Sequence, residues 1–147
     1  MHSIQPITPR QAEALILELD AYLCCIYPPE DNHLDGISVL EQSGAKMLGA
    51  YLEGELVGCA ALKFHADYAE VKRVFVKPEF RGRGLSRALM SSLHALALEH
   101  GQNTLRLETG DKQLEALGLY QTLGYGRIEP FGEYRCTPQS ICMEKVL

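Results

Sequence analysis

The chain has 147 residues, 46% of them hydrophobic and 22% charged, with a formal net charge of −5. That length suits one domain spanning 1–147 with a sizeable core, and the acidic balance argues against a general nucleic-acid binder, which is usually basic. Cys24, Cys25, Cys59, Cys136 and Cys142 are odd in number and form no Cys-x-x-Cys pair, which points away from a disulfide framework and a zinc site.

The elements follow in chain order. Ile4–Ile7 reads as a short strand, then Thr8-Pro9 as an N-cap with proline at the first helical position. Ala12, Leu15, Ile16, Leu19 and Leu23 recur at helical spacing, so a helix is expected to about residue 24. Pro28-Pro29 end it. Ile37–Gln42 is a second short helix stopped by Gly44. Met47–Leu52 and Leu56–Phe64 form a hairpin about Glu53-Gly54-Glu55. Tyr68–Val76 is the next strand. Leu85, Ala88, Leu89, Leu93, Leu96 and Ala97 mark a long helix closed by Gly101. Thr104–Thr109 is a strand, Gln113–Leu123 a helix closed by Gly124, Tyr125–Ile128 a strand, 130–138 a loop and Ser140–Val146 a last strand. Strands and helices alternate through the second half, so the fold class is α/β with a mixed sheet.

No basic-then-apolar leader opens the chain, and no run of about 18 apolar residues occurs. A cytoplasmic protein with no membrane contact is therefore expected. His65, His94 and His100 make no ligand spacing, so no metal is expected.

One junction carries chemistry. Arg81-Gly82-Arg83-Gly84-Leu85-Ser86 lies between the Tyr68–Val76 strand and the long helix. Helix N-termini present unpaired N–H groups and partial positive charge, and glycine lets backbone approach a ligand. Taken alone, the junction reads either as a solvated basic turn or as a phosphate-type anion site. It is not the dinucleotide fingerprint, since Arg87 stands where the third glycine belongs, nor a P-loop, since no Gly-Lys-Ser/Thr occurs.

A second motif follows the next strand, with Ala116, Leu119, Tyr120, Gly124 and Tyr125 in order. Together the two resemble the GNAT superfamily of acetyl-CoA-dependent N-acetyltransferases. Arg81, Gly84 and Ser86 fall on the fixed places of R/Q-x-x-G-x-G/A, with Ser86 departing from the final Gly/Ala. The later residues match N-x-x-A-x-x-L-Y-x-x-x-G-F/Y, with Gln113 in place of asparagine. The match is strong over the C-terminal half and rests on element order before it.

The resemblance implies a single-domain acyl-CoA N-acyltransferase fold with a mostly antiparallel mixed sheet flanked by helices. It implies acetyl-CoA as cosubstrate, its pyrophosphate on Arg81, Gly82, Arg83, Gly84, Leu85 and Ser86, and its extended arm along Val74, Phe75 and Val76, near Gln113. A backbone N–H of Phe75 or Val76 would polarise the thioester. Tyr120 would protonate the leaving thiolate and Glu70 would act as base, directly or through water. Without the resemblance, Tyr120 reads equally as a packed core tyrosine and Glu70 as a solvated edge-strand carboxylate beside Lys72 and Arg73.

The acceptor is expected to be the primary amine of a small metabolite or amino-acid-like molecule, attacking directly in a ternary complex. From the first inter-helix loop Glu30 and Asp31 are candidates to bind its ammonium group and Asn32 or His33 to hydrogen-bond it, and from the 131–135 loop Tyr134 or Arg135 are candidates for an acceptor carboxylate, each residue reading equally as part of a solvated loop. A protein or peptide amine, a non-catalytic coenzyme A sensor and a nucleotide-phosphate module remain open alternatives, and a homodimer is compatible with the superfamily.

Overall fold

The computed structural model describes residues 1–27 and 36–147. Seven strands, β1 (His2–Ile7), β2 (Lys46–Leu52), β3 (Glu55–Phe64), β4 (Ala69–Val76), β5 (Thr104–Gly110), β6 (Gly126–Ile128) and β7 (Ser140–Val146), form one sheet in the order β1-β2-β3-β4-β5-β7-β6. Only β4 and β5 run parallel; every other pair is antiparallel. The helices are α1 (Glu13–Ile26), α2 (Ile37–Gln42), α3 (Leu85–Glu99) and α4 (Leu114–Thr122).

Alternation along the strands feeds two cores. On one face Leu85, Leu89, Met90 and Leu93 of α3 and Tyr120 of α4 pack on Val57, Leu62, Val71, Leu105 and Leu107. On the other, Leu15, Ile16, Leu19 and Leu23 of α1 and Leu40 of α2 pack on Met47, Cys59, Ala61 and Phe75. This is the α/β architecture expected, a mostly antiparallel sheet between helical layers. Among the described residues, no helix is long and apolar enough to cross a membrane.

One irregularity shapes the middle of the sheet. Ala61 of β3 faces Lys72 of β4, yet Cys59 faces Phe75. β4 therefore carries one extra residue, a bulge, and Arg73 within it has φ +57°, the left-handed region. The bulge resets the side-chain alternation: Ala69 and Val71 before it and Val76 after it all reach the α3 core. Past Val71 the pairing with β5 stops, the last partners being Val71 and Leu107. β5 continues on β7 as far as Gly110 opposite Ser140. The two central strands thus fork.

The helix boundaries move slightly from expectation. α1 begins at Glu13 rather than beside Pro9. Thr8 instead closes a turn with Gln11: the Thr8 N–H donates to Gln11 Oε1 (2.8 Å) and the Gln11 N–H to Thr8 Oγ1 (3.2 Å), the reciprocal pattern of a capping box. α1 runs on to Ile26, and Tyr27 is extended (φ −131°, ψ 144°), as the residue before a proline must be. α4 starts at Leu114, with Gln113 as its N-cap.

Tyr27 ties that helix end to the fork. The Lys112 N–H donates to its hydroxyl (2.8 Å), which donates to Asp111 Oδ1 (3.4 Å). Its ring lies over Gly110, where a Cβ would overlap it. Gly110→Ala should lower stability by about 1–3 kcal/mol through this overpacking, read as a drop in the urea unfolding midpoint at unchanged slope.

Candidate active site

The fork is filled by a cavity of about 520 Å³ lined by Val74, Phe75 and Val76, by the turn after β4, and by Gln113, Ala116, Leu119 and Tyr120 of the α4 segment. Pro78–Phe80 form a single 3-10 turn, and α3 then starts at Leu85. Gly82 (φ +79°) and Gly84 (φ +78°) are both left-handed, and no atom lies within 4 Å of where a Cβ would project. Gly84 is the N-cap of α3 and no side chain caps it. The first-turn N–H groups thus face the cavity mouth without a side-chain acceptor, an arrangement suited to an anion.

Arg81 does two jobs there. Its Nε donates to the Val76 carbonyl (2.9 Å) and its guanidinium lies 5.7 Å from the Phe75 ring centre. The turn is thereby stitched to the open edge of β4, and the terminal nitrogens of Arg81 stay at the cavity wall. Arg83 differs from expectation. It is exposed, stacks over Phe80 (5.6 Å) and does not line the cavity, whereas Arg87 in the first turn of α3 does.

A smaller cavity of about 90 Å³ shares Leu19, Val74, Gln113 and Tyr120 with the first, and adds Tyr27, Lys72, Arg73, Thr109 and Tyr134. Tyr120 therefore stands between two chambers. It is both readings at once, a core residue 6% exposed and a cavity residue. Burial pushes its hydroxyl well above the usual phenol range, so it keeps its proton throughout the neutral range.

Glu70 is not a solvated carboxylate; it is 5% exposed. The Tyr134 hydroxyl donates a short hydrogen bond to Oε2, and His65 Nε2 lies 3.0 Å from Oε1. Lys72 Nζ donates to the Tyr134 hydroxyl (3.3 Å) and lies 3.8 Å from Glu70 Oε2. Glu70 itself lines neither cavity; Tyr134 brings the cluster to the smaller one. Aromatic packing fixes that loop: Phe131 is buried, 5.1 Å from the Tyr134 ring and 5.4 Å from Tyr68, with Arg106 over both Tyr68 (4.6 Å) and Phe131 (5.7 Å).

Arg73 pairs across the sheet face with Asp20 of α1 (Nη2 to Oδ1, 2.6 Å), not with Glu70. The contact is close but badly aligned: Nε, Nη1 and Nη2 are all buried without a hydrogen bond. Cys59 Sγ donates to the Arg73 carbonyl (3.4 Å), and burial pushes that thiol up to about 12.

The chain matches the model of the acetyltransferase (GNAT) family over residues 16–125. It belongs to that family. A protein of Azospirillum brasilense named IAA acetyltransferase is 40% identical over 135 residues, 90% of this chain and 88% of its own. A structure from Klebsiella pneumoniae assigned as an acyl-CoA N-acyltransferase superposes with a TM-score of 0.85 at 36% identity, covering 100% of this chain and 98% of that one. A PaiA N-acetyltransferase of Thermoplasma acidophilum, solved with coenzyme A, shares the fold (TM-score 0.76, 22% identity, covering 100% and 99%). The protein is thus an acyltransferase.

In this GNAT chain the expected donor residues Val74, Phe75, Val76, Arg81, Gly82, Gly84, Leu85, Ser86 and Gln113 all line the larger cavity. Glu30, Asp31, Asn32 and His33 lie outside the described residues. Arg135, the other acceptor contact expected, is exposed and lines no described cavity. Three residues escaped the sequence reading as site groups. Arg87 carried a signal, being the third residue of a helix that starts at the glycine turn. Arg73 carried another, as the second of two charged residues breaking the alternation of Val71-Lys72-Arg73-Val74. His65 meets Glu70 through the hairpin pairing of Phe64 with Ala69, which no local pattern announces.

Gly84→Val forces a β-branched residue into φ +78° at a cost of about 1–2 kcal/mol and crowds the cradle. Inorganic pyrophosphate should raise the melting temperature of the wild type, and its apparent affinity should fall at least tenfold in the variant.

Proposed function

We propose that this GNAT enzyme moves the acetyl group of acetyl-CoA to the primary amine of a small metabolite or amino-acid-like acceptor, by direct attack in a ternary complex. One observation carries the reading. A single fork holds the anion cradle on the larger cavity, Tyr120 on both cavities, and on the smaller one Tyr134, hydrogen-bonded to Glu70 behind it. The donor set fits coenzyme A: two left-handed glycines with open space, an uncapped helix start, and Arg81 and Arg87. The coenzyme A held by the Thermoplasma relative accords with this, as does the name of the Azospirillum relative. Bound acetyl-CoA supplies an acetyl thioester whose carbonyl carbon is the electrophile.

The chain's own groups then have definite tasks. The N–H groups from Gly82 to Ser86 hold pyrophosphate, with Arg81 and Arg87 adding charge. The Lys77 N–H donates to Val57 of β3 (2.9 Å). Backbone direction alternates along a strand, so Val76 turns to the fork, where its carbonyl already meets Arg81. Its N–H there polarises the thioester and takes up the charge that develops on oxygen. Tyr134 receives the proton of the acceptor ammonium at its hydroxyl as it yields its own to Glu70, and half-exposed His65 links Glu70 to solvent. The free amine attacks, the C–S bond breaks, and the nitrogen's second proton leaves by the same Tyr134–Glu70–His65 route to solvent, giving an amide and a thiolate. Tyr120 donates a hydrogen bond to that thiolate. Its raised pKa makes it a hydrogen-bond donor more than the full proton donor expected from an ordinary phenol, since the thiol's own pKa is near 8.5.

Five free cysteines, three of them exposed, suit the reducing cytoplasm as the compartment.

The test is thiol release from acetyl-CoA across a panel of amines and amino acids. With an accepted amine, Tyr120→Phe should lower kcat about 10²-fold and Glu70→Gln about 10²- to 10⁴-fold, with coenzyme A affinity by calorimetry within twofold of wild type. Coenzyme A binding with no thiol release from any amine would end the reading of acetyl transfer to an amine.

A further inference from the structure

The two cavities of the fork meet at a small frame. Among the described residues Leu19 of α1, Val74 of β4, Gln113 at the start of α4 and Tyr120 within it line both of them. These side chains come from opposite layers. Leu19, 7% exposed, belongs to the core on the α1 face of the sheet, and Tyr120 to the core on the α3 face. Elsewhere strands separate those cores. Here β4 has parted from β5 after Val71, so a side chain from each helical layer closes on the gap. Half-buried Val74 forms its β4 rim and packs against the α3 core. Two members of the frame are aliphatic, so one part of the constriction offers only apolar surface.

The geometry points to Leu19 and Val74 as the residues that limit the length of the transferred acyl group, so that the donor class is short acyl thioesters with acetyl preferred. This rests on the proposed transfer from donor in the larger cavity to amine in the smaller. In that arrangement the transferred group is the part that lies where the cavities join. The Val76 N–H takes the thioester oxygen and Tyr120 the sulfur, which leaves the acyl tail to the aliphatic part of the frame. A methyl group meets that wall with apolar contact. Each further methylene has to displace Leu19 or Val74, and both are packed into cores. Protein interiors are close-packed, and forcing extra methylenes into them strains side chains and backbone alike. The constriction is therefore a gauge of chain length that no short motif records, since Leu19 and Val74 lie 55 positions apart (74 minus 19).

The experiment compares acetyl-, propionyl- and butyryl-CoA in the thiol-release assay with an accepted amine. Wild type should prefer acetyl- to propionyl-CoA by about 10- to 200-fold in kcat/KM, the range for one methylene in an apolar pocket. Leu19→Ala and Val74→Ala each clear room at the frame, and the acetyl-to-propionyl ratio should fall about tenfold in them. Leu19 is core packing as well as wall, so the half-buried Val74 supplies the variant that disturbs the fold less. Calorimetry with the thioethers S-ethyl-CoA and S-butyl-CoA reads the frame without turnover and, in wild type, without any variant. S-butyl-CoA should bind wild type about tenfold more weakly than S-ethyl-CoA, and the difference should shrink in Val74→Ala. Equal use of the three donors, a ratio unmoved in every folded variant, or a thioether affinity that holds or rises with chain length overturns the inference. No thiol release from any pairing of donor and amine overturns instead the acetyl-transfer reading. The thioether affinities then decide by themselves whether the frame gauges chain length in a coenzyme A-binding protein.

Discussion

Everything at the site depends on one extra residue in β4. Had the strand stayed regular past Lys72, its edge would have gone on pairing with β5, and the centre of the sheet would be closed. With the bulge, the shared ladder ends at Val71 and Leu107, and the backbone edge of Val74–Val76 is left facing a cavity instead of another strand. An unpaired edge in a sheet's interior is normally a liability. Here it is flanked by a helix start and two glycines, and its Val76 carbonyl is already satisfied by Arg81.

The helical layers make that opening affordable. The left-handed conformation of Arg73 costs about 1–3 kcal/mol. Burying Leu85, Leu89 and Leu93 of α3, each 2% exposed or less, contributes about 1.5–3 kcal/mol apiece. The same residues that stabilise the α3 core also fix the direction of the helix, so its N-terminus points at the fork. The shape of the larger cavity and the stability of the fold thus draw on the same hydrophobic face. On the opposite face Asp20 holds the charge of Arg73, which keeps a buried guanidinium tolerable beside α1.

Much of this was legible in the chain. Period-2 and period-3.6 patterns located nearly every strand and helix, because both cores read alternate faces of the same strands. The glycine turn and Tyr120 marked the larger cavity, since both depend on local geometry that short motifs record. What was not legible lies in contacts between distant segments. Tyr134 and Glu70 stand 64 positions apart and meet only because Phe131 anchors the intervening loop on Tyr68 and Arg106. The exchange of Arg83 for Arg87 turned on where the first helical turn begins, which is the least certain feature of any helix boundary. The break in alternation at Lys72-Arg73 was visible, but two adjacent charges resemble an exposed strand edge unless the strand is known to be central.

The link between Tyr27 and Lys112 has a mechanical meaning. Lys112 N–H meets the Tyr27 hydroxyl and its Nζ meets the Ile26 carbonyl (3.2 Å), so the end of α1 is clamped to the segment that launches α4. Tyr120 rides on α4. The gap between the two chambers is therefore gauged by a strut outside the larger one's Tyr120 wall, and strain applied at the far end of α1 arrives between the chambers as a change in spacing.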